Sequence, residues 1–206
     1  MHFTKLFRYV LTTSLKYHID ESHGLQHSMN TLFYANQIFL SELPKKPHIR
    51  PHERIIYTSA ILHDMCDKKY LDQEQHLKHI DHHLDGMLMP HEIKATQDII
   101  STMSYSYVKR HGFPNLHTYQ DAYHIVREAD LLTAYDFDRS MIYHFNTKPG
   151  TTFVDAYYAA ADFCETRAFL HNQDHLFTTD YSKNKSLVLH EQTIQRMHFW
   201  KELLGI

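Results

Sequence analysis

Residues 56–64 read Ile56-Tyr-Thr-Ser-Ala-Ile-Leu-His-Asp64. Ile56, Ala60, His63 and Asp64 stand at i, i+4, i+7 and i+8, so on a helix all four share one face. Ala60, Ile61 and Leu62 lead straight into the pair, which marks a buried helix end. A face that begins in hydrocarbon thus ends in an imidazole and a carboxylate, where packing alone would place another Leu.

Two other segments repeat the anomaly. Around Asp130, the residues Val126, Ala129, Thr133, Ala134 and Phe137 form one helical face, and Asp130 sits in the middle of that stripe. An ionised carboxylate there is costly unless something pairs with it; Arg127 is one candidate. Further upstream, Leu25, Met29, Leu32 and Phe33 form one apolar face and Tyr34 and Ile38 another, with His27 on the second. A helix apolar on two sides belongs in the middle of its domain, so His27 is expected inside. The chain has 20 His. Most belong at the surface, and these few stand where a surface His should not.

The rest of the chain has helical periodicity and no convincing strand alternation. Expected helices cover Phe3 to Tyr17, Leu25 to Leu43, Pro51 to Asp64, Pro90 to Arg110, a stretch opened by Thr118 and Asp121 running through Asp130 to Ala134, another to about Phe145, Thr152 to His171, and Ser186 to Leu204. The polar, His-rich segment 72–88 reads as helix plus loop. Five Gly and six Pro leave long stretches without breakers. The expectation is an all-α protein of one domain, residues 1–206, with its core at about 20–145 and a helical extension at about 150–206.

Composition narrows the function. Apolar residues are 43% and charged residues 22%, enough for a substantial core. A formal charge of −3 gives no basic field for nonspecific nucleic-acid binding. The segment 22–41 lacks Asp, Glu, Lys and Arg, but its two His, two Asn and two Gln mark a buried helix rather than a membrane span. Two Cys make no disulfide framework. With no signal peptide visible, a cytoplasmic location is expected. Nothing fixes the oligomeric state.

One divalent cation would satisfy His27, His63, Asp64 and Asp130 together. Two imidazoles and two carboxylates suit Mn, Fe, Co, Ni or Zn, with Mg admissible, rather than Ca. Four protein ligands leave coordination positions for water and substrate, as catalytic sites require.

The same residues carry a resemblance. The segments Asp20-Glu-Ser-His-Gly-Leu-Gln-His27, Ile61-Leu-His-Asp-Met-Cys-Asp67-Lys-Lys69 and Arg127-Glu-Ala-Asp-Leu-Leu-Thr-Ala134 are similar to three motifs of the HD superfamily of metal-dependent phosphohydrolases. The subgroup includes small bacterial HD hydrolases and nucleoside triphosphate pyrophosphohydrolases. The likeness covers about residues 20–145. It implies an HD-domain helical bundle and an enzyme with His27, His63, Asp64 and Asp130 as metal ligands. It also implies Asp67 as the residue that activates or orients water, and His23 and Lys69 as contacts to substrate phosphate. Lys68 and Arg139 join these as candidates on charge and position. The chain departs from the subgroup at Glu128, where the subgroup often has Asp, and at Thr133, where it often has an acidic residue; both departures bear on how substrate is contacted. The implied reaction is hydrolysis of a phosphate ester or anhydride, plausibly of a nucleotide, in a small phosphate-bearing substrate. Two alternatives stand beside it: a two-metal HD protein such as an iron-dependent oxygenase recruiting His79 or His83, and a non-catalytic module that senses or stores metal.

Overall fold

The computed structural model describes residues 2–66, 72–147 and 149–206. Among them are ten α-helices and short 3-10 turns, with no strand. The helices are α1 (Phe3–Tyr17), α2 (Leu25–Glu42), α3 (Glu53–Leu62), α4 (Gln73–Leu84), α5 (Pro90–Thr102), α6 (Tyr105–His111), α7 (Gln120–Thr133), α8 (Phe137–Thr147), α9 (Phe153–Thr166) and α10 (Asp180–Leu204). The all-α expectation holds. Among the described residues no helix is long and apolar enough to cross a membrane.

Helices α2, α3 and α7 pack on one another and form the centre. Their shared core contains Ile38, Phe39, Ile56, Ala60, Val126 and Ala129. A second cluster lies between α1, the end of α3, α4 and α5, around Leu6, Val10, Leu62, Met65 and Ile80. A third joins α8, α9 and α10 through Phe137, Met141, Tyr157 and Cys164. The segment after residue 150 is woven into this arrangement, since Leu176 and Phe177 lie in the central core. Both cysteines are buried and unbridged.

Several boundaries differ from the sequence reading for local physical reasons. The helix expected from Pro51 to Asp64 is a 3-10 turn over Pro47–His52, then α3, then a second 3-10 turn over His63–Cys66. The helix expected from Pro90 to Arg110 breaks at Met103, because the Ser104 hydroxyl caps a new helix by accepting from the Tyr107 N–H at 3.2 Å. Thr118 does not cap α7: its N-cap is Tyr119, with no side-chain cap, and Asp121 pairs with Lys46 and His48 instead. The Thr152–Asp155 capping box is present as expected. The last helix starts six residues before Ser186, capped by Thr179.

The two-sided apolar reading of α2 also changes. Met29 and Phe33 are 49% and 55% exposed. The buried face carries His27, Ser28, Thr31, Ala35, Ile38 and Phe39. His27 is inside, though on a face with more small polar residues than apolar periodicity suggests.

Candidate metal centre

Three elements converge at one end of the central helix trio. Helix α2 supplies His27 from its first turn. The 3-10 turn closing α3 supplies His63 and Asp64, and α7 supplies Asp130 three residues before its end. His27 and His63 are 1% and 6% exposed. His27 Nε2 lies 2.9 Å from His63 Nε2, 3.0 Å from Asp64 Oδ2 and 3.4 Å from Asp130 Oδ1. His63 Nε2 lies 3.4 Å from Asp64 Oδ2 and 3.5 Å from Asp130 Oδ1. The four residues expected to bind metal are therefore brought together.

Hydrogen bonding fixes the character of these atoms. His63 Nδ1 sits 2.9 Å from the Ala60 carbonyl, which can only accept, so Nδ1 carries a proton. In the neutral ring the lone pair is then on Nε2, aimed into the cluster. His27 Nε2 faces the Arg139 Nη2 donor at 3.3 Å, so it too presents a lone pair. Asp64 Oδ2 is buried and has no hydrogen-bond partner among the described residues. Electron-rich atoms converge, and something positive must lie between them. A proton is one solution. Burial works against charge on His63, but Asp64 and Asp130 outweigh it and hold its pKa well above the ordinary value. Burial likewise opposes charge on both carboxylates. His63 and His27 outweigh it at Asp64, and their hydrogen bonds and charge do so at Asp130, so both pKa values fall well below the usual range. A divalent ion is the other solution. Ligands about 2.1 Å from a metal lie about 3.0 Å apart at octahedral and about 3.4 Å apart at tetrahedral angles, and the measured spacings fall near these two values. The donor set fits a transition metal.

The cluster opens into a cavity of about 680 Å³. His63, Asp64 and Asp130 lie on its wall, with His23, Arg110, Arg139 and Arg167 around them. His23 contacts the Ser22 hydroxyl through Nδ1 at 2.7 Å and packs on Tyr143 at 5.3 Å. Among the described residues the Arg139 side chain forms no ion pair. Its guanidinium spans the Ser22 carbonyl, the Thr133 hydroxyl and His27, so its present contacts brace the cluster from inside the cavity. Asp67, Lys68 and Lys69 lie outside the described residues.

Other candidates resolve differently. Arg127 does not pair with Asp130. It bonds the Leu176 carbonyl and lies 3.5 Å from Glu128. Glu128 is no substrate contact: fully buried, it accepts from the N–H and hydroxyl of both Thr178 and Thr179 at 2.6–3.2 Å, anchoring the start of α10. Thr133 bonds its hydroxyl to the Asp130 carbonyl at 2.7 Å. His79 is exposed and His83 packs on Tyr9 at 4.5 Å, and neither joins the cluster. Tyr105 and Tyr107 also line the cavity, whereas Tyr135 is core. Sequence reasoning missed Arg110 and Arg167. Each sits near the end of a helix remote in sequence from the ligands, with no pattern around it to mark it.

No protein-family model and no curated protein matches the sequence. A crystal structure of a Lactobacillus plantarum protein superposes with a TM-score of 0.67 at 18% identity, covering 97% of this chain and 96% of that one. At that identity the likeness establishes a shared all-α fold spanning nearly the whole of both chains.

Proposed function

We propose that this chain is a metal-dependent phosphohydrolase of the HD type, cleaving a phosphate ester or anhydride in a small substrate such as a nucleotide. The observation that carries the reading is the convergence of His27, His63, Asp64 and Asp130 at adjacent-ligand spacing, with the last three on the wall of a cavity that also presents three arginines. A divalent ion held there supplies Lewis acidity, activating water and polarising a phosphoryl oxygen. The chain's own groups supply the rest. Ala60 accepts from His63 Nδ1 and so leaves the Nε2 lone pair facing the cluster, and the ring needs no rearrangement. Arg139 is fixed by Ser22 and Thr133 beside the cluster, where its charge offsets charge growing on phosphate. His23, in contact with the Ser22 hydroxyl, lies on the same cavity wall as a candidate substrate contact. The two-metal alternative has no His79 or His83 at the cluster to support it.

The test is a phosphate and pyrophosphate release screen over nucleotides and sugar phosphates, with Mn, Co, Ni, Mg and Fe supplied separately, together with metal analysis. We expect one metal per chain and release of phosphate or pyrophosphate. Asp130→Ala should lose both metal and turnover. Two irons per chain with oxygen consumption, or full metal and activity in Asp130→Ala, would refute the reading.

A further inference from the structure

Arg167 closes α9 in the part of the chain beyond the metal ligands. Its guanidinium lies 4.1 Å above the Tyr105 ring centroid and 5.2 Å from that of Phe163, and all three residues line the cavity beside Asp130. Two other buried or half-buried cations, Arg127 and Lys46, each have a carboxylate within 3.5 Å, and the exposed Lys109 and Arg196 have Asp174 and Asp138. Among the described residues Arg167 has no ion pair, and its half-buried side chain keeps Nε without a hydrogen-bond partner. Arg139 is committed to three acceptors of the chain itself, and Arg110 is exposed at the rim.

A desolvated guanidinium without an anion is costly. The two rings hold it in place, so little side-chain freedom remains to be lost when an anion arrives. We propose that Arg167 is a phosphate-binding residue of this site, its planar fork taking non-bridging oxygens of the phosphoryl group presented to the metal cluster. The proposal rests on the phosphohydrolase reading for its choice of anion. Burial lowers the Arg167 pKa while Asp130 supports the charged form and Arg139 opposes it, so the three groups share one electrostatic neighbourhood. The C-terminal lobe would thereby complete a site whose ligands all lie before residue 131.

The experiment titrates inorganic phosphate into manganese-loaded wild type, Arg167→Gln and Arg167→Lys, with manganese affinity measured separately for each. Losing a charged, two-pronged contact should weaken phosphate binding about 10- to 100-fold in Arg167→Gln, with manganese affinity unchanged. Arg167→Lys keeps the charge and lies between, which separates charge loss from misfolding. Equal phosphate affinity in wild type and Arg167→Gln, or no phosphate binding by wild type, overturns the proposal. Arg167-dependent phosphate binding with no ester or anhydride hydrolysed across the screen would leave it standing and sink the hydrolase reading. Hydrolysis with an unchanged phosphate affinity and KM in Arg167→Gln would do the reverse.

Discussion

Replacing Glu128 with Ala removes one carboxylate that serves two oxygens to two threonines. Oε1 accepts from Thr178 at 2.7 Å (N–H) and 2.6 Å (hydroxyl), and Oε2 from Thr179 at 3.2 Å and 2.7 Å. Each hydrogen bond to a charged group contributes about 1.5–3 kcal/mol, but four on one carboxylate are far from additive. Arg127, 1% exposed and 3.5 Å away, would also lose its only ion-pair partner among the described residues. Breaking a buried charged pair from one side typically costs about 3–5 kcal/mol. We expect Glu128→Ala to lose about 4 kcal/mol. At a urea slope of about 2 kcal/mol per M, the unfolding midpoint falls by about 2 M. Glu128→Gln keeps the shape and one acceptor, and should lose about 1–2 kcal/mol. Equilibrium urea unfolding followed by far-UV circular dichroism measures both. A midpoint shift below about 0.5 M in Glu128→Ala, accompanied by a raised KM for a hydrolysed substrate, would refute the structural assignment and restore Glu128 as a substrate contact.

Metal at about 100 times its Kd should stabilise the fold by about 2.7 kcal/mol, raising Tm by about 5–10 °C in a chain of this size. Because the metal competes with the proton that His63 holds to unusually high pH, affinity should fall about tenfold per pH unit below the His63 pKa. Differential scanning calorimetry against pH checks both, and a Tm indifferent to metal throughout refutes the centre. His171 is fully buried with both ring nitrogens lacking partners among the described residues. Burial, reinforced by Arg167, pushes its pKa down to about 3. The unfolded chain therefore takes up a proton below about pH 6.5 that the folded chain refuses until about pH 3. Stability should fall by up to about 1.4 kcal/mol per pH unit across that window as pH drops. His171→Leu should flatten that dependence in urea titrations, and an unchanged slope would show that other groups cause it.

The sequence was informative wherever period and chemistry conflicted. A His-Asp pair closing an apolar face, and an Asp inside an apolar stripe, both led to the cluster the structure assembles. Boundaries set within a segment were also legible, as at Phe3–Tyr17 and the Thr152 capping box. What could not be read was decided by distant partners. Helix α10 begins early because Glu128, fifty residues upstream, receives Thr178 and Thr179. Asp121 leaves its capping role because Lys46 and His48 reach it from another segment. The exposed Met29 and Phe33 show the limit of periodicity, which finds an apolar stripe without saying which stripe meets the core. Arg167 carries no local signal, because an unpaired charge is unpaired only once the fold is known.

The four ligand side chains are borne by a bundle whose centre is hydrocarbon: Ile38 and Phe39 from α2, Ile56 and Ala60 from α3, Val126 and Ala129 from α7. In small zinc modules the ion and the fold arrive together. Here the helices share a hydrocarbon core, so an ion bound at the cluster would be expected to leave and another to enter while the chain stays folded. Exchange is then a local event, and occupancy follows the relative supply of competing ions and the general order of their affinities for nitrogen and oxygen donors. The metal found after purification would report the growth medium as much as the protein, and assigning the working ion requires reconstitution of stripped protein under competition.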